Sequence, residues 1–361
     1  MDAARRSVIR PLSRRARWTL LALATVLLVT LGPALVLAPS PPVGTPRFLA
    51  NWAYDVRLIA AGPAKAGLSL IRGFRGGWRL LDEPAGRAVL PDGLDLAATI
   101  YAPERPTPGP GVLLLHGSTP QGRRLGLYRA LAGHLCARGY VVLAPDQRGY
   151  GDSADPTRLD LATSFDYVGD ARRALEYLGQ MGGVDSSRLS VVGHSFGADV
   201  AISLGLADPR VRNIVAFAPT RGLLARAGPD DAPQTAYYVR REMRYMKLPR
   251  PIPSEVFVAY RLPLALDAHM AALSRPGHTP LLVIEGGGEP APQRDHFAGL
   301  YHRIAAPKAH LVLPQADHYA NVADLGPLTV FSQSTMTELT NAVDGFLSPS
   351  PGAGPFPCGA A

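Results

Sequence analysis

A serine set between two glycines carries the clearest chemical potential in this chain. Gly193-His194-Ser195-Phe196-Gly197 follows the apolar run Leu189-Ser190-Val191-Val192 and precedes the helix-compatible stretch 198–206. The pattern needs glycine two residues either side of the serine because a strand-to-helix turn this sharp leaves no room for side chains there. Ser195 is thereby lifted clear of the sheet as a candidate nucleophile. A serine hydroxyl is weak at neutral pH, so it requires a base within hydrogen-bond reach and a third group that orients the base.

His318 is the candidate base. It lies in Pro314-Gln315-Ala316-Asp317-His318-Tyr319, directly after the last apolar strand pattern, where a loop can arch back towards the serine. His194 cannot readily fold onto its own neighbour, His310 alternates within a strand, and His116 and His134 read as structural. For the acid, Glu285-Gly286-Gly287-Gly288-Glu289-Pro290 offers two carboxylates. Glu289 is preferred because it stands out on the loop. Glu285 belongs to the strand end, where a structural or substrate-side role is expected, and Asp295 is a third candidate. An oxyanion formed at Ser195 needs donors already in place, and losing one costs about 3 kcal/mol. The backbone N–H of Phe196 is one such donor; the second is assigned to Ser118, with Thr119 as the alternative.

These residues need a rigid frame, and the hydropathy pattern supplies one. A hairpin is expected from Ala88-Val89-Leu90 and 94–101 around Pro91-Asp92-Gly93, then strands at 111–116, 140–144, 189–192, 211–218, 281–285 and 309–313. Helices are expected at 125–138, 165–179, 198–206, 292–304 and 332–346 between and after them. Strands alternating with helices give right-handed crossovers and a mostly parallel central sheet covered on both faces, an α/β fold. Residues 220–278 break the alternation and are expected to form a helical cap. Its Tyr237, Tyr238, Met243, Tyr245, Met246, Phe257 and Tyr260 form either an apolar wall for substrate or the cap's own core. Arg240, Arg241 and Arg244 read as a solvated helix face.

The order serine, acid, histidine along the chain resembles the triad order of the α/β-hydrolase superfamily. His116-Gly117-Ser118 after a strand resembles its oxyanion loop, and Asp146-Gln147-Arg148-Gly149-Tyr150-Gly151-Asp152-Ser153 resembles its Asp-x-Arg-Gly-x-Gly-x-Ser segment. The resemblance covers roughly residues 85–347, and the helix Asp170–Leu178 before the elbow is most similar to dienelactone-hydrolase-like, acyl-peptidase-like and esterase members. It implies the α/β-hydrolase fold and a serine hydrolase mechanism. A glutamate stands where aspartate is commoner as the acid. Serine rather than aspartate at the elbow's centre disfavours the mechanism of dehalogenases and epoxide hydrolases.

Composition bounds the rest of the chain. The net charge of +8 is concentrated at the start, where residues 1–17 carry six arginines against Asp2, and no nucleic-acid partner is expected. Residues 18–38 contain no charge and as a helix would span about 31 Å, enough to cross a hydrocarbon core. The basic flank orients this transmembrane signal-anchor with the catalytic portion on the extracytoplasmic side. Secretion after cleavage behind Val36-Leu37-Ala38 is the alternative, disfavoured by Pro39. Residues 39–84 are a linker that includes an amphipathic helix with Phe48, Trp52, Val56 and Ile59 on one face. The hydrolase domain is expected over 85–347 and a disordered Pro/Gly-rich tail over 348–361. Cys136 and Cys358 form no metal or redox motif. A buried free thiol at Cys136 is the favoured reading and a disulfide the alternative. The histidines show no metal-ligand spacing, and neither metal nor cofactor is expected.

The chain is therefore expected to be a membrane-anchored, carboxylesterase-like serine hydrolase that cleaves a small-molecule ester, or less readily an amide, through an acyl-enzyme. An acyltransferase or acyl-peptidase with the same triad is the first alternative, because alcohols and amines also resolve an acyl-enzyme. An inactive hydrolase-fold binding module is the second.

Overall fold

A computed structural model describes residues 96–104, 107–220, 232–246, 248, 250–288, 298–314, 316–325, 328–348 and 358–360, with the short strands 78–80 and 88–89. The basic segment, the apolar span 18–38, the amphipathic helix of the linker, and Glu289 with Asp295 lie outside the described residues. Among the described residues no single helix is long and apolar enough to cross a membrane.

The strands are β1 Trp78–Leu80, β2 Ala88–Val89, β3 Ala97–Pro103, β4 Gly109–Leu115, β5 Val141–Pro145, β6 Val184–His194, β7 Val211–Phe217, β8 Leu281–Gly286, β9 Lys308–Leu313, β10 Val322–Leu325, β11 Leu328–Ser332 and β12 Cys358–Ala360. Between them lie the helices α1 Gly126–Cys136, α2 Tyr167–Gln180, α3 Phe196–Ala207, α4 Ala232–Met246 and α5 Ser254–Arg261, and α6 Gln333–Leu347 precedes β12. The central sheet has the order β12-β3-β5-β4-β6-β7-β8-β9, with β2 also on β3. From β5 to β9 every neighbouring pair is parallel, and β3 runs antiparallel to β5.

Alternation along a fully buried strand sends successive side chains to opposite faces, so both must be covered. Leu113 and Leu115 of β4 join Ala174, Leu175, Leu178, Val200 and Leu204 of α2 and α3 on one face. Val112 and Leu114 join Leu127, Leu131 and Leu135 of α1 with Met336, Leu339 and Val343 of α6 on the other. Among the described residues between β7 and β8 are α4, α5 and further helical turns over 262–273. Tyr238, Met243, Met246, Phe257 and Tyr260 are buried there in an apolar cluster continuous with the core under α2 and α3. Of the expected helix 292–304, residues 298–301 form a helical turn, and residues 289–297 lie outside the described residues.

Two expectations are corrected at the chain's end. Cys136 is not a free thiol: it is bonded to Cys358 across a sequence separation of 222 residues, with Cα atoms 5.7 Å apart. Nor is the tail wholly without structure, since β12 pairs antiparallel with β3, Cys358 opposite Pro103 and Ala360 opposite Tyr101. A Pro/Gly-rich segment cannot bury a core of its own, but adding a strand to an open edge needs only backbone hydrogen bonds and here one covalent tether. A second, small sheet, β1-β11-β10, lies outside the expected pattern. It is tied to α1 by Asp324, whose Oδ2 accepts from the Gly126 N–H at 3.0 Å.

Candidate active site

The elbow forms because β6 ends against the first turn of α3. Ser195 sits between them at φ 54° and ψ −120°, in a region that L-residues seldom adopt. A Cβ at Gly193 would collide with the Gly197 carbonyl, and one at Gly197 with the Leu115 carbonyl at the end of β4. The Ser195 N–H is donated to Phe217 O at 2.9 Å. Phe196 opens α3, where N–H groups have no intrahelical acceptor and are available to an anion.

The loop after β4 lies against the serine, with the Gly117 position 2.9 Å from Ser195 Cβ when a Cβ is built there. A directed chain of hydrogen bonds runs from this loop to His318. The Gly117 N–H donates to Tyr128 Oη at 2.7 Å, and Tyr128 Oη lies 2.8 Å from His194 Nδ1. His194 Nε2 lies 2.7 Å from the carbonyl of His318. A backbone N–H can only donate and a carbonyl can only accept. Nε2 therefore carries the His194 proton, and Tyr128 gives its own proton to Nδ1. Burial, and next the proximity of His318, hold the His194 pKa well below the ordinary imidazole value, which keeps this ring neutral. The structure thus brings the His318 loop to the residue beside Ser195, with the two imidazole centroids 4.8 Å apart.

The loop after β8 approaches the same place. Gly287 N–H donates to Leu313 O at 2.8 Å and Gly288 N–H to Ala316 O at 2.9 Å, so the chain one residue before Glu289 is bonded to the chain two residues before His318. A Cβ on Gly286 would lie 2.7 Å from Ala316 O and one on Gly287 would collide with Pro314 O, so neither position admits a side chain. Glu285 is directed elsewhere: its Oε2 lies 2.8 Å from His310 Nε2 on the neighbouring β9.

His116 is structural in its bonding. Its Nε2 accepts the Gln147 N–H at 2.8 Å, and its Nδ1 lies 2.7 Å from Gly117 O. Burial lowers its pKa against the opposing pull of Asp146. The Asp146 to Ser153 segment is pinned along its length. Asp146 Oδ1 accepts from Arg123 N–H at 2.6 Å, and Arg148 makes a two-pronged contact with Asp170 at 2.8 and 2.6 Å. Ser118 Oγ faces Tyr150 Oη at 3.2 Å and Glu242 Oε1 at 3.4 Å.

Glu242, Arg261, Tyr128 and Tyr150 enter the site without having been singled out from sequence. A signal for the first two existed. Glu242 shares a helical face with the buried Tyr238, Val239, Met243 and Met246, and Arg261 shares one with Phe257, Tyr260 and Leu264. A charge inside an apolar stripe is a buried charge with a partner, not a solvated one. No group of three or more His, Cys, Asp or Glu side chains suited to a metal occurs among the described residues.

The family model described as serine aminopeptidase, S33, matches residues 107–253. An uncharacterised protein of Mycobacterium tuberculosis is 30% identical over 276 residues, covering 74% of this chain and 81% of its own. Epoxide hydrolase 3 of Siraitia grosvenorii is 37% identical over 108 residues, 30% of this chain and 31% of that protein. Among solved structures, Est1E from Butyrivibrio proteoclasticus superposes with a TM-score of 0.52 at 13% identity, covering 73% of this chain and 98% of that one. The chain belongs to the α/β-hydrolase superfamily, and hydrolysis is the coarse class of chemistry that this membership supports.

Proposed function

We propose that this protein is a membrane-anchored serine hydrolase that cleaves carboxylic esters through an acyl-enzyme. Ser195 attacks the carbonyl carbon while His318 takes its proton, and Glu289 holds the imidazole in the productive tautomer. The N–H groups of Phe196 and Ser118 receive the oxyanion. His318 returns the proton to the leaving alcohol, and water, deprotonated by the same imidazole, releases the acid. The observation that carries this reading is Ser195 at φ 54° on the strand-to-helix turn, one residue from the His194 ring that is bonded to the His318 carbonyl.

The epoxide hydrolase likeness adds no substrate, because Ser195 occupies the elbow position where those enzymes need a carboxylate. The description of the matching family model favours peptide amides as a second substrate class. The Cys136–Cys358 bond supports an extracytoplasmic catalytic portion, since such bonds persist in oxidising compartments. The uncharged span 18–38 behind six arginines supports a retained anchor on that side.

Full-length protein in detergent, assayed on short p-nitrophenyl esters and on acyl-peptide amides, tests the reading. Turnover of the esters that falls by about 10⁴-fold or more in Ser195→Ala is expected. Turnover of amides alone would move the assignment to the peptidase class, and turnover unchanged in the variant would refute the nucleophile. A periplasm-dependent reporter fused after residue 361 should be active, and activity confined to the cytoplasm would refute the orientation.

A further inference from the structure

We propose that Glu242 and Arg261, carried by the two helices between β7 and β8, are positioning residues that hold both donors of the oxyanion site. The inference rests on the serine hydrolase reading above and assigns these side chains a share in it. Each donor residue is gripped from above by one of them. The Arg261 guanidinium carbon lies 3.6 Å from the centroid of the Phe196 ring, on its face. Glu242 Oε1 accepts from Ser118 Oγ at 3.4 Å and from Tyr150 Oη, which itself reaches Ser118 Oγ at 3.2 Å. The two grips are joined to each other, with Arg261 Nη1 3.9 Å from Glu242 Oε1.

Burial decides between this role and that of a substrate subsite. Phe196 is 0%, Glu242 1% and Arg261 2% exposed. Arg261 Nε and Nη1 are enclosed and make no hydrogen bond among the described residues. Their compensation comes from the Phe196 π-face and from the Glu242 charge. A desolvated guanidinium on an aromatic face is a strong, directional contact, and it requires the planar fork of arginine. Tyr167 meets the Phe196 ring edge-on at a centroid distance of 4.8 Å, so the ring is held by two neighbours and the backbone that carries its N–H is held with it.

Donors aimed at an oxyanion act only while they are fixed where the charge develops. Helices α4 and α5 are absent from the sheet and elbow that make the nucleophile, yet they carry the side chains that steady its electrophilic partner site. Docking of these helices therefore completes the oxyanion site as well as covering it.

The test measures kcat and KM on an ester substrate, and the inhibition constant of an aryl trifluoromethyl ketone, whose carbon accepts Ser195 Oγ to give a tetrahedral oxyanion. The variants are Arg261→Met, Arg261→Lys and Glu242→Gln in the full-length protein. Arg261→Met should lower kcat by about tenfold to a hundredfold with KM within about twofold, and weaken the ketone by the same factor as kcat/KM. Arg261→Lys, which keeps the charge and loses the plane, should fall between it and wild type, and Glu242→Gln should show the smaller loss in both constants. A folded variant with lowered thermal stability but unchanged kcat and ketone affinity would overturn the inference, as would a change confined to KM. Should Arg261→Met not fold, the other two variants decide by the same readouts. Wild type inert towards both ester and fluorophosphonate would instead refute the functional reading and this inference with it, an outcome distinct from active wild type with unaffected variants.

Discussion

Two buried polar systems meet over Ser195, and they differ in how completely they are satisfied. Beneath the serine, the chain from Gly117 through Tyr128 and His194 to His318 assigns every proton, each link between 2.7 and 2.8 Å. Above it, among α4, α5 and the loop carrying Tyr150, the hydroxyls of Tyr167 and Tyr260 and the Arg261 Nε are buried without a hydrogen bond among the described residues. A satisfied network is rigid and costly to break, whereas an orphaned hydroxyl has already lost its hydration and contributes nothing in return. The lower system is fully paired; the upper one is held by ring stacking, by the hydrogen bonds of Glu242 to Ser118 and Tyr150 and by the Arg261–Glu242 pair, and it carries orphaned groups beside them.

Tyr128→Phe should damage the lower system most. Removing that one oxygen strands both the Gly117 N–H and His194 Nδ1, each at a cost of about 1–3 kcal/mol. A melting temperature lowered by about 5–15 °C and kcat reduced about tenfold or more are expected. Calorimetry and ester turnover check both, and an unaffected variant would mean that the chain does not organise the site.

Asp199 gives an intermediate, pH-dependent effect. It lies buried in the first turn of α3, and burial is the main cause that raises its pKa from 3.8 to about 7, opposed by its contacts with Thr220. Its folded-state value lies above the unfolded one, so its contribution to stability is full below 3.8 and is lost as the pH rises through about 7. Asp199→Asn keeps the uncharged form at every pH. Between pH 5 and 8 wild type should therefore lose several degrees of melting temperature relative to this variant, and parallel curves would contradict the assignment.

Tyr260→Phe should have the smallest effect, and it can carry the opposite sign to Tyr128→Phe. Its hydroxyl is already desolvated and unbonded, so the change should leave stability within about 1 kcal/mol of wild type or raise it. A loss as large as that of Tyr128→Phe, measured by the same calorimetry, would erase the distinction between the two systems.

The difference between the regions also explains what could be read from the chain beforehand. The frame was legible wherever a local pattern decided it: the apolar runs of β4 to β9, the glycines at 193 and 197, and the alternation of strand and helix. Tyr128 was not, because an apolar helix needs a buried aromatic there regardless of what its hydroxyl does, and its partners lie 11 and 66 residues away. Glu242 was passed over because it sits among Arg240, Arg241 and Arg244, which read as a solvated face, although the helix turns Glu242 inward. The β12 addition escaped because its strand of Cys358–Ala360 has no apolar alternation, and its pairing depends on a cysteine 222 residues earlier.

The proposed mechanism turns on Ser195 Oγ being the reactive atom of the elbow. The most direct test is intact mass and peptide mapping of full-length protein after exposure to a fluorophosphonate, for wild type, Ser195→Ala and Tyr128→Phe. One adduct per chain on the peptide containing Ser195, absent from Ser195→Ala and formed more slowly in Tyr128→Phe, is the predicted result. An adduct on another serine, or equal labelling of Ser195→Ala, would contradict it.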